Sequence, residues 1–283
     1  MKPKKARKNW IFTLLLLLIF LAGLSLLLYP TISDYWNSFH QSRAIASYVD
    51  TVAELDDDAY QEIWEQAQAY NAALPRDDTR FVPGEEEIAY YDTLLNVSGN
   101  GIMGYLEIPS IEVTLPVYHG TDEEVLQVAV GHIEGSSLPV GGPGTHSVIS
   151  GHRGLPSATL LTDLDQLEIG DVFMLHVLDE TLTYEVDQIH IVEPDDVSYL
   201  AIEEGEDLCT LVTCTPYGIN THRLLVRGHR IETQAEAVSI SVSADAIQIS
   251  PMMVAAALAV PVLLILLLWV LFSSSHKGKS KRS

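Results

Sequence analysis

Two long stretches of the chain are predominantly apolar and contain no charged residue. The first covers residues 10–29 and the second covers residues 251–272. An α-helix rises about 1.5 Å per residue, so about 20 residues cross a hydrocarbon core of roughly 30 Å. Each stretch is therefore predicted to form a transmembrane helix. The alternative for the first stretch is a cleaved signal peptide, which its length and the lack of a small-x-small pattern at its end disfavour.

The segment between these stretches begins with a helical pattern. Within residues 30–100, apolar side chains recur at three- and four-residue spacing, which predicts amphipathic helices. The clearest stripe consists of Tyr60, Ile63, Trp64, Ala67 and Tyr70. Residues 74–87 contain two prolines and many charges, so they are predicted to form a loop. One interpretation of this N-terminal helical extension is a solvated stalk that holds the next domain off the membrane.

The pattern changes from helices to strands at residue 101. Residues 101–233 contain short runs rich in β-branched and aromatic residues, which favour strands. The runs are Tyr105–Ile108, Val113–Tyr118, His146–Ser150, Val172–Leu178, Leu182–Val192, Cys209–Thr215 and His222–Ile231. Turns rich in glycine and proline separate them. This region is therefore predicted to be mainly β and to form one closed or nearly closed barrel, followed by a linker over residues 234–250.

The charged residues are distributed very unevenly along the chain. Nine of the 16 basic residues lie in the terminal tails, residues 1–9 and 273–283. Basic flanks stay on the cytoplasmic side of a membrane, so both termini are predicted to be cytoplasmic and the middle of the chain extracellular. Residues 30–250 carry seven arginines, no lysine and all 38 acidic residues, a formal charge of −31. Such a surface repels nucleic acids and attracts partners that expose lysines.

The two cysteines are expected to differ in role. Cys209 and Cys214 lie five residues apart in one predicted strand, so their Cα atoms would be about 16 Å apart and their side chains would point to opposite faces. A disulfide needs Cα atoms within about 7 Å, and both thiols are therefore predicted to be free. Cys209 is expected to be a buried hydrophobic residue. Cys214 ends its strand just before a turn, and this position suits an exposed nucleophile.

A reactive thiol needs a base or a cation beside it. His152 lies between glycines in Gly151–Gly154, and on spacing alone His152 and His222 are about equal candidates for the base. Arg223 follows the cysteine turn, and if it faces the thiol its guanidinium can hydrogen-bond a developing oxyanion. The alternative is that Arg223 only offsets the acidic surface. His176 and His190 lie inside apolar strand runs and are expected to be packed core histidines.

The histidines and cysteines do not form a metal-binding pattern. His146 and His152 are six residues apart, His222 and His229 are seven apart, and neither C-x-x-C nor H-x-x-x-H occurs. Zinc sites commonly use such closely spaced pairs. We therefore predict no metal site and no cofactor.

The three candidates, taken with their neighbours, resemble the sortases, which are cysteine transpeptidases of Gram-positive cell surfaces. His152 lies in GHRG, Cys214 in TLVTCTPYG and Arg223 in NTHRLLVRG. The similarity covers residues 100–231. It is greatest to class C, the pilus-assembling sortases, in which an N-terminal helical extension and a second membrane span are typical.

This resemblance implies a fold and a role for each residue. The fold is an eight-stranded sortase-type β-barrel with two transmembrane helices. Cys214 would attack the Thr–Gly bond of an LPxTG-like sorting signal and form a thioacyl enzyme, and Arg223 would position the substrate and stabilise the oxyanion. His152, which the resemblance selects over His222, would protonate the leaving amine and deprotonate the incoming one. In class C the incoming amine belongs to a pilin lysine, which gives an isopeptide-linked pilus.

The sequence departs from class C before the barrel. Pilus sortases usually carry a lid with an Asp-Pro-aromatic triplet, whereas residues 75–81 read PRDDTRF. Asp78 and Phe81 do not have the spacing of that triplet, so the sequence leaves open whether this loop is a functional lid.

Two other functions compete with pilus assembly at this stage. One is a housekeeping sortase that attaches surface proteins to a cell-wall cross-bridge amine. The other is a surface scaffold whose barrel only binds partners, which the exposed thiol with its histidine and arginine disfavours.

Overall fold

The computed structural model describes residues 5–76 and 78–233. The predicted linker, second span and C-terminal tail, residues 234–283, lie outside the described residues. Within the described part of the chain, residues 5–34 belong to one compact unit and residues 35–233 to another. The α-helices are α1 (Lys5–Ala53), α2 (Asp57–Ala73), α3 (Glu85–Tyr91) and α4 (Glu123–Leu126).

Helix α1 contains the first apolar stretch and continues beyond it. Pro30 lies inside the helix without ending it. The segment Leu14–Ala53 is long and apolar enough to cross a membrane, and in the described part of the chain it is the one helix with this property. Asp56 is the N-cap of helix α2, and its carboxylate accepts a hydrogen bond of 2.8 Å from the Ala59 amide, which satisfies a free amide at the start of the helix.

The helical extension packs against the barrel. Tyr48 of α1 and Ala67 of α2 are buried in the same hydrophobic cluster as the barrel interior. The Tyr48 hydroxyl donates to the Met103 carbonyl over 3.0 Å and accepts from the Leu178 amide over 2.7 Å. Buried polar groups without such partners would cost free energy, so these bonds fix the extension to the barrel. The interpretation of residues 30–100 as a solvated stalk is therefore wrong.

Eight strands form a closed barrel, as the resemblance implied. They are β1 (Ile102–Ile108), β2 (Val113–His119), β3 (Val130–His132), β4 (Thr145–Ser150), β5 (Val172–Val177), β6 (Glu180–Val192), β7 (Asp207–Thr215) and β8 (His222–Ile231). Their order around the barrel is β1-β2-β3-β4-β7-β8-β6-β5. The pattern of side chains missed only β3 among these strands, because three residues are too few to show alternation.

In the described part of the chain, two histidines other than the predicted His176 and His190 are completely buried. They are His132 and His146, and burial lowers the pKa of each to about 4. His132 is hydrogen-bonded to the Tyr91 hydroxyl, 2.9 Å from Nδ1, and to the Ser137 carbonyl, 2.8 Å from Nε2. Both histidines are therefore neutral structural groups at neutral pH.

His176 and His190, which were predicted to be core residues, are only half-buried. His176 stacks on Tyr105 and lies 3.1 Å from the Glu107 carboxylate, whereas His190 packs against Tyr199. The prediction was wrong because neighbouring residues in a strand point to opposite faces. An apolar run therefore does not determine which face an embedded histidine occupies.

Candidate active site

Cys214 and Arg223 are direct neighbours across two antiparallel strands. In the register of β7 and β8, Cys214 is opposite Arg223. Residues directly opposite each other share a face, with Cβ atoms about 4.5–5.5 Å apart. Both side chains are half-buried, and Nη1 of Arg223 donates to the His222 carbonyl over 3.2 Å. Arg223 therefore lies on the same face of the sheet as the Cys214 thiol.

His152 lies next to this pair on the other side of β7. Strand β4 runs parallel to β7, with Ser150 aligned with Val212. The pairing continues past the end of β4, because the Gly151 amide donates to the Val212 carbonyl over 3.0 Å. His152 lies two residues beyond the end of β4, in the loop that leaves this strand beside the end of β7 that carries Cys214. The three candidates thus form a row at one end of the neighbouring strands β4, β7 and β8.

His222 occupies a different position. It is opposite Thr215 in the register, one residue along from both Cys214 and Arg223, so it faces the other side of the sheet. Its Nε2 atom lies 3.3 Å from the Glu193 carboxylate. The geometry therefore favours His152 over His222 as the partner of the thiol.

Cys209 lies on the interior face of the same strand. It is completely buried in the main hydrophobic cluster and opposite Gly228. Burial, together with the nearby charge of Asp207, raises the pKa of the Cys209 thiol well above its ordinary value. The structure contains both cysteines as free thiols, and only Cys214 is partly exposed.

A small apolar cluster lies on the exterior face of the sheet, next to the candidate residues. It is separate from the barrel interior and consists of Val148, Val192, Leu200, Val212 and Leu225. Val212 is two residues before Cys214, and Leu225 is two residues after Arg223, so each lies at the adjacent position on the same face. The exterior apolar cluster therefore extends along this face up to Cys214 and Arg223.

The segment Asp78–Phe81, a short 3₁₀ helix, lies over the exterior apolar cluster. Phe81 packs against the cluster. Arg80 is 4% exposed, donates to the Leu200 carbonyl and stacks its guanidinium on the Phe81 ring. The Arg80 carbonyl also lies against Gly135, where an added Cβ atom would clash with it. The loop therefore covers part of the cluster although it lacks the Asp-Pro-aromatic triplet.

Phe81 was a candidate from the sequence, whereas the burial of Arg80 was not expected. The available signal was an arginine next to the only aromatic residue of an otherwise charged loop, in PRDDTRF. That signal does not reveal burial, since an arginine in an acidic loop is more often solvated.

Comparisons with known proteins agree with this geometry. The sortase domain family matches residues 106–231. Sortase C1 from Streptococcus agalactiae is 49% identical, with a TM-score of 0.64, over 68% of this chain and 100% of that chain. Sortase C from Streptococcus pneumoniae is 45% identical, with a TM-score of 0.59, over 68% of this chain and 98% of that chain.

A similarity at lower identity covers a smaller part of the chain. Sortase D from Bacillus subtilis is 34% identical over 131 residues, which are 45% of this chain and 63% of that protein. The chain thus matches less than two thirds of the length of this relative. The crystal structures, by contrast, are matched almost completely at high identity. A closed eight-stranded barrel with this strand order and these similarities shows that the chain belongs to the sortase family.

Proposed function

We propose that this chain is a membrane-anchored cysteine transpeptidase that joins an LPxTG-like sorting signal to a lysine amine of a pilin. The observation that carries the proposal is the row of His152, Cys214 and Arg223 beside the exterior apolar cluster that contains Val212 and Leu225. A surface scaffold needs no such row, because binding alone does not require a partly exposed thiol aligned with an imidazole and a guanidinium.

The first half of the reaction forms a thioester. The Cys214 thiolate attacks the carbonyl carbon of the threonine, and the carbonyl oxygen becomes an oxyanion. Arg223 donates hydrogen bonds to the substrate there, where charge develops. The C–N bond to glycine then breaks, and His152 gives a proton to the leaving amine.

The second half transfers the acyl group. A lysine amine attacks the thioester carbonyl, and His152 removes a proton from the attacking nitrogen. The C–S bond breaks, the Cys214 thiolate is regenerated, and an isopeptide bond remains. These steps require no cofactor or metal.

Pilus assembly is favoured over cell-wall attachment by two features. The similar solved structures include sortases C from two streptococci, and their class is the one that the sequence resembles. In addition, residues 193–196, which follow the strand residue paired with Arg223, expose three acidic side chains. These charges would attract a pilin that exposes several lysines more strongly than a cross-bridge with a single amine.

We place the enzyme at the cell membrane, with the barrel on the extracellular face and both termini in the cytoplasm. The apolar segment of α1 supports an anchor. The basic terminal tails support the orientation, since positive flanks stay on the cytoplasmic side.

A peptide experiment tests this function. The full chain in detergent is incubated with an LPxTG peptide, and intact mass spectrometry measures the acyl adduct. A pilin domain or a cross-bridge peptide is then added in parallel. An isopeptide product with the pilin supports the proposal, a product with the cross-bridge peptide alone supports a housekeeping sortase, and the absence of any adduct supports a scaffold.

Added salt is expected to slow capture of a pilin acceptor more than capture of a small neutral amine. The formal charge of −31 on residues 30–250 should attract lysine-bearing proteins over long distances. Such attraction is screened beyond about 8–10 Å at physiological ionic strength. The measurement is the rate of adduct resolution by each acceptor at rising salt. Equal responses of the two acceptors would mean that the acidic surface is background composition.

Phe81→Ala is expected to lower the peptide concentration that half-saturates adduct formation. The ring packs on the exterior apolar cluster that the peptide would contact. Without the ring, the peptide no longer has to displace Phe81 from this surface. A half-buried phenylalanine contributes about 1 kcal/mol, which corresponds to about a fivefold shift. The matched control is Val82→Ala, because Val82 is 82% exposed and follows directly in the chain. If both variants behave like the unchanged protein, the segment is not a lid.

A further inference from the structure

His152 lies in the loop that leaves β4 (residues 151–154, the histidine loop), and Cys214 lies near the end of the neighbouring strand β7, just before a turn (residues 215–220, the cysteine turn). The last links of the β4–β7 pairing are the Gly151 amide to Val212 bond and a bond of 2.8 Å from the Thr213 hydroxyl to the Gly151 carbonyl. Both candidate residues lie beyond these links. The separation of His152 and Cys214 therefore depends on contacts between the histidine loop and the cysteine turn.

Tyr217 makes such a contact from the cysteine turn. Its ring lies on Gly154, where an added Cβ atom would come within 2.8 Å of Cε2 and 3.0 Å of Cζ. Gly154 also has a φ of +75°, a conformation that favours glycine. The turn itself is closed by hydrogen bonds from the Ile219 and Asn220 amides to the Pro216 carbonyl, so the ring is attached to a defined backbone three residues after Cys214.

Arg153 completes the connection from the histidine loop. Its guanidinium carbon lies 5.9 Å from the centre of the Tyr217 ring, within the range of a cation–π contact. It also forms an ion pair with Asp165, and its side chain is only 9% exposed. Arg153 directly follows His152 in the chain. A hydrogen bond of 3.2 Å from the Leu161 amide to the His152 carbonyl anchors the same loop.

We infer that Tyr217 is a positioning residue that sets the separation of Cys214 and His152 by clamping the cysteine turn onto Gly154 and Arg153. This inference rests on the proposed function, because it concerns the geometry of the same row. The ring is 60% exposed, so its contribution to the hydrophobic core is small and its contact with the histidine loop is its main structural effect. A displacement of about 1 Å between reacting groups can cost about 100-fold in rate.

The test compares Tyr217→Ala with Tyr217→Phe and with Ile219→Ala. Single-turnover acylation by an LPxTG peptide is measured over a range of peptide concentrations. In Tyr217→Ala we expect the rate at saturating peptide to fall about 10- to 100-fold, with little change in the half-saturating concentration. Tyr217→Phe should keep most of the acylation rate of the unchanged protein, because the ring makes the contact with Gly154. Ile219→Ala, in the same turn and 67% exposed, should behave like the unchanged protein.

Three results would overturn the inference. An unchanged saturating rate in Tyr217→Ala would mean that the clamp is not needed, and a change confined to the half-saturating concentration would mean that the ring binds the peptide. An equal loss in Tyr217→Phe would assign the effect to the hydroxyl. Thermal unfolding of each variant shows whether the fold is intact.

A second measurement separates this inference from the proposed function. The rate of Cys214 alkylation by iodoacetamide needs no peptide and depends on the base beside the thiol. We expect Tyr217→Ala to approach the rate of His152→Ala. If the unchanged protein forms no thioester, the proposed function fails, and the alkylation rates still decide the clamp. If Cys214 is alkylated equally fast in Tyr217→Ala and in the unchanged protein, the clamp is refuted.

Discussion

Cys214→Ala is expected to abolish the covalent adduct with an LPxTG peptide, whereas Cys209→Ala is expected to keep a large part of it. Cys214 lies on the exterior face of the sheet, opposite Arg223. Cys209 is completely buried, and its raised pKa keeps it a neutral thiol. A thiol without access to the substrate cannot replace the missing nucleophile. Intact mass spectrometry of both variants measures the adduct.

The stability of the two variants must be compared in the same experiment. Cys209→Ala removes a sulfur atom from the core, and such a change typically costs on the order of 1 kcal/mol in the free energy of unfolding. Cys214→Ala should cost less, since its side chain is half-buried. Equal loss of adduct in two folded variants would show that the strand face does not distinguish the thiols, and the assignment of Cys214 as nucleophile would fail.

Much of the barrel could be predicted because its strands are long enough to show a pattern. The ends of β6 and β8, with 13 and 10 residues, agree closely with the predicted runs. Strand β3 has three residues and pairs in parallel with β2. Such a short strand is defined by its hydrogen bonds to neighbours that are distant in sequence. Side-chain alternation along the chain carries no information about these bonds.

The candidate residues could be found in the sequence, but their arrangement could not. Residue types and turns pointed to Cys214 and Arg223, and left His152 and His222 equivalent. The register of β7 and β8 separates the two histidines, because His222 is opposite Thr215 and faces away from the thiol. The parallel pairing of β4 with β7, strands about 60 residues apart in sequence, brings the loop that carries His152 beside the end of β7 that carries Cys214. Local patterns do not encode such a pairing.

The packing of the segment Asp78–Phe81 over the exterior apolar cluster could not be predicted either. Phe81 and Arg80 lie in a charged loop, and composition favours exposure for such a segment. Their burial follows from contacts with Leu200 and Gly135, which come from two other loops. A covering segment that is built from distant contacts can thus be present without the triplet that marks it in related sequences.

Arg223→Lys is expected to lower turnover about 100-fold to 1000-fold, the loss that is typical when an oxyanion donor is removed. Lysine keeps the positive charge but lacks the planar fork of donors. Arg223 lies across from Cys214, where the oxyanion would develop, and one of its nitrogens already donates to the His222 carbonyl. A single ammonium group cannot satisfy this carbonyl and bind the substrate in the same geometry. The measurement is the rate of peptide acylation at saturating peptide.

Arg230→Lys provides the matched control for this prediction. Arg230 lies near the other end of β8, at 3.9 Å from the Asp207 carboxylate, and its replacement removes the same fork of donors far from the thiol. We expect this variant to acylate at close to the rate of the unchanged protein. If Arg223→Lys also acylated at that rate, charge alone would be sufficient at this position. Arg223 would then serve only to offset the acidic surface, and the oxyanion would have to be stabilised by other donors.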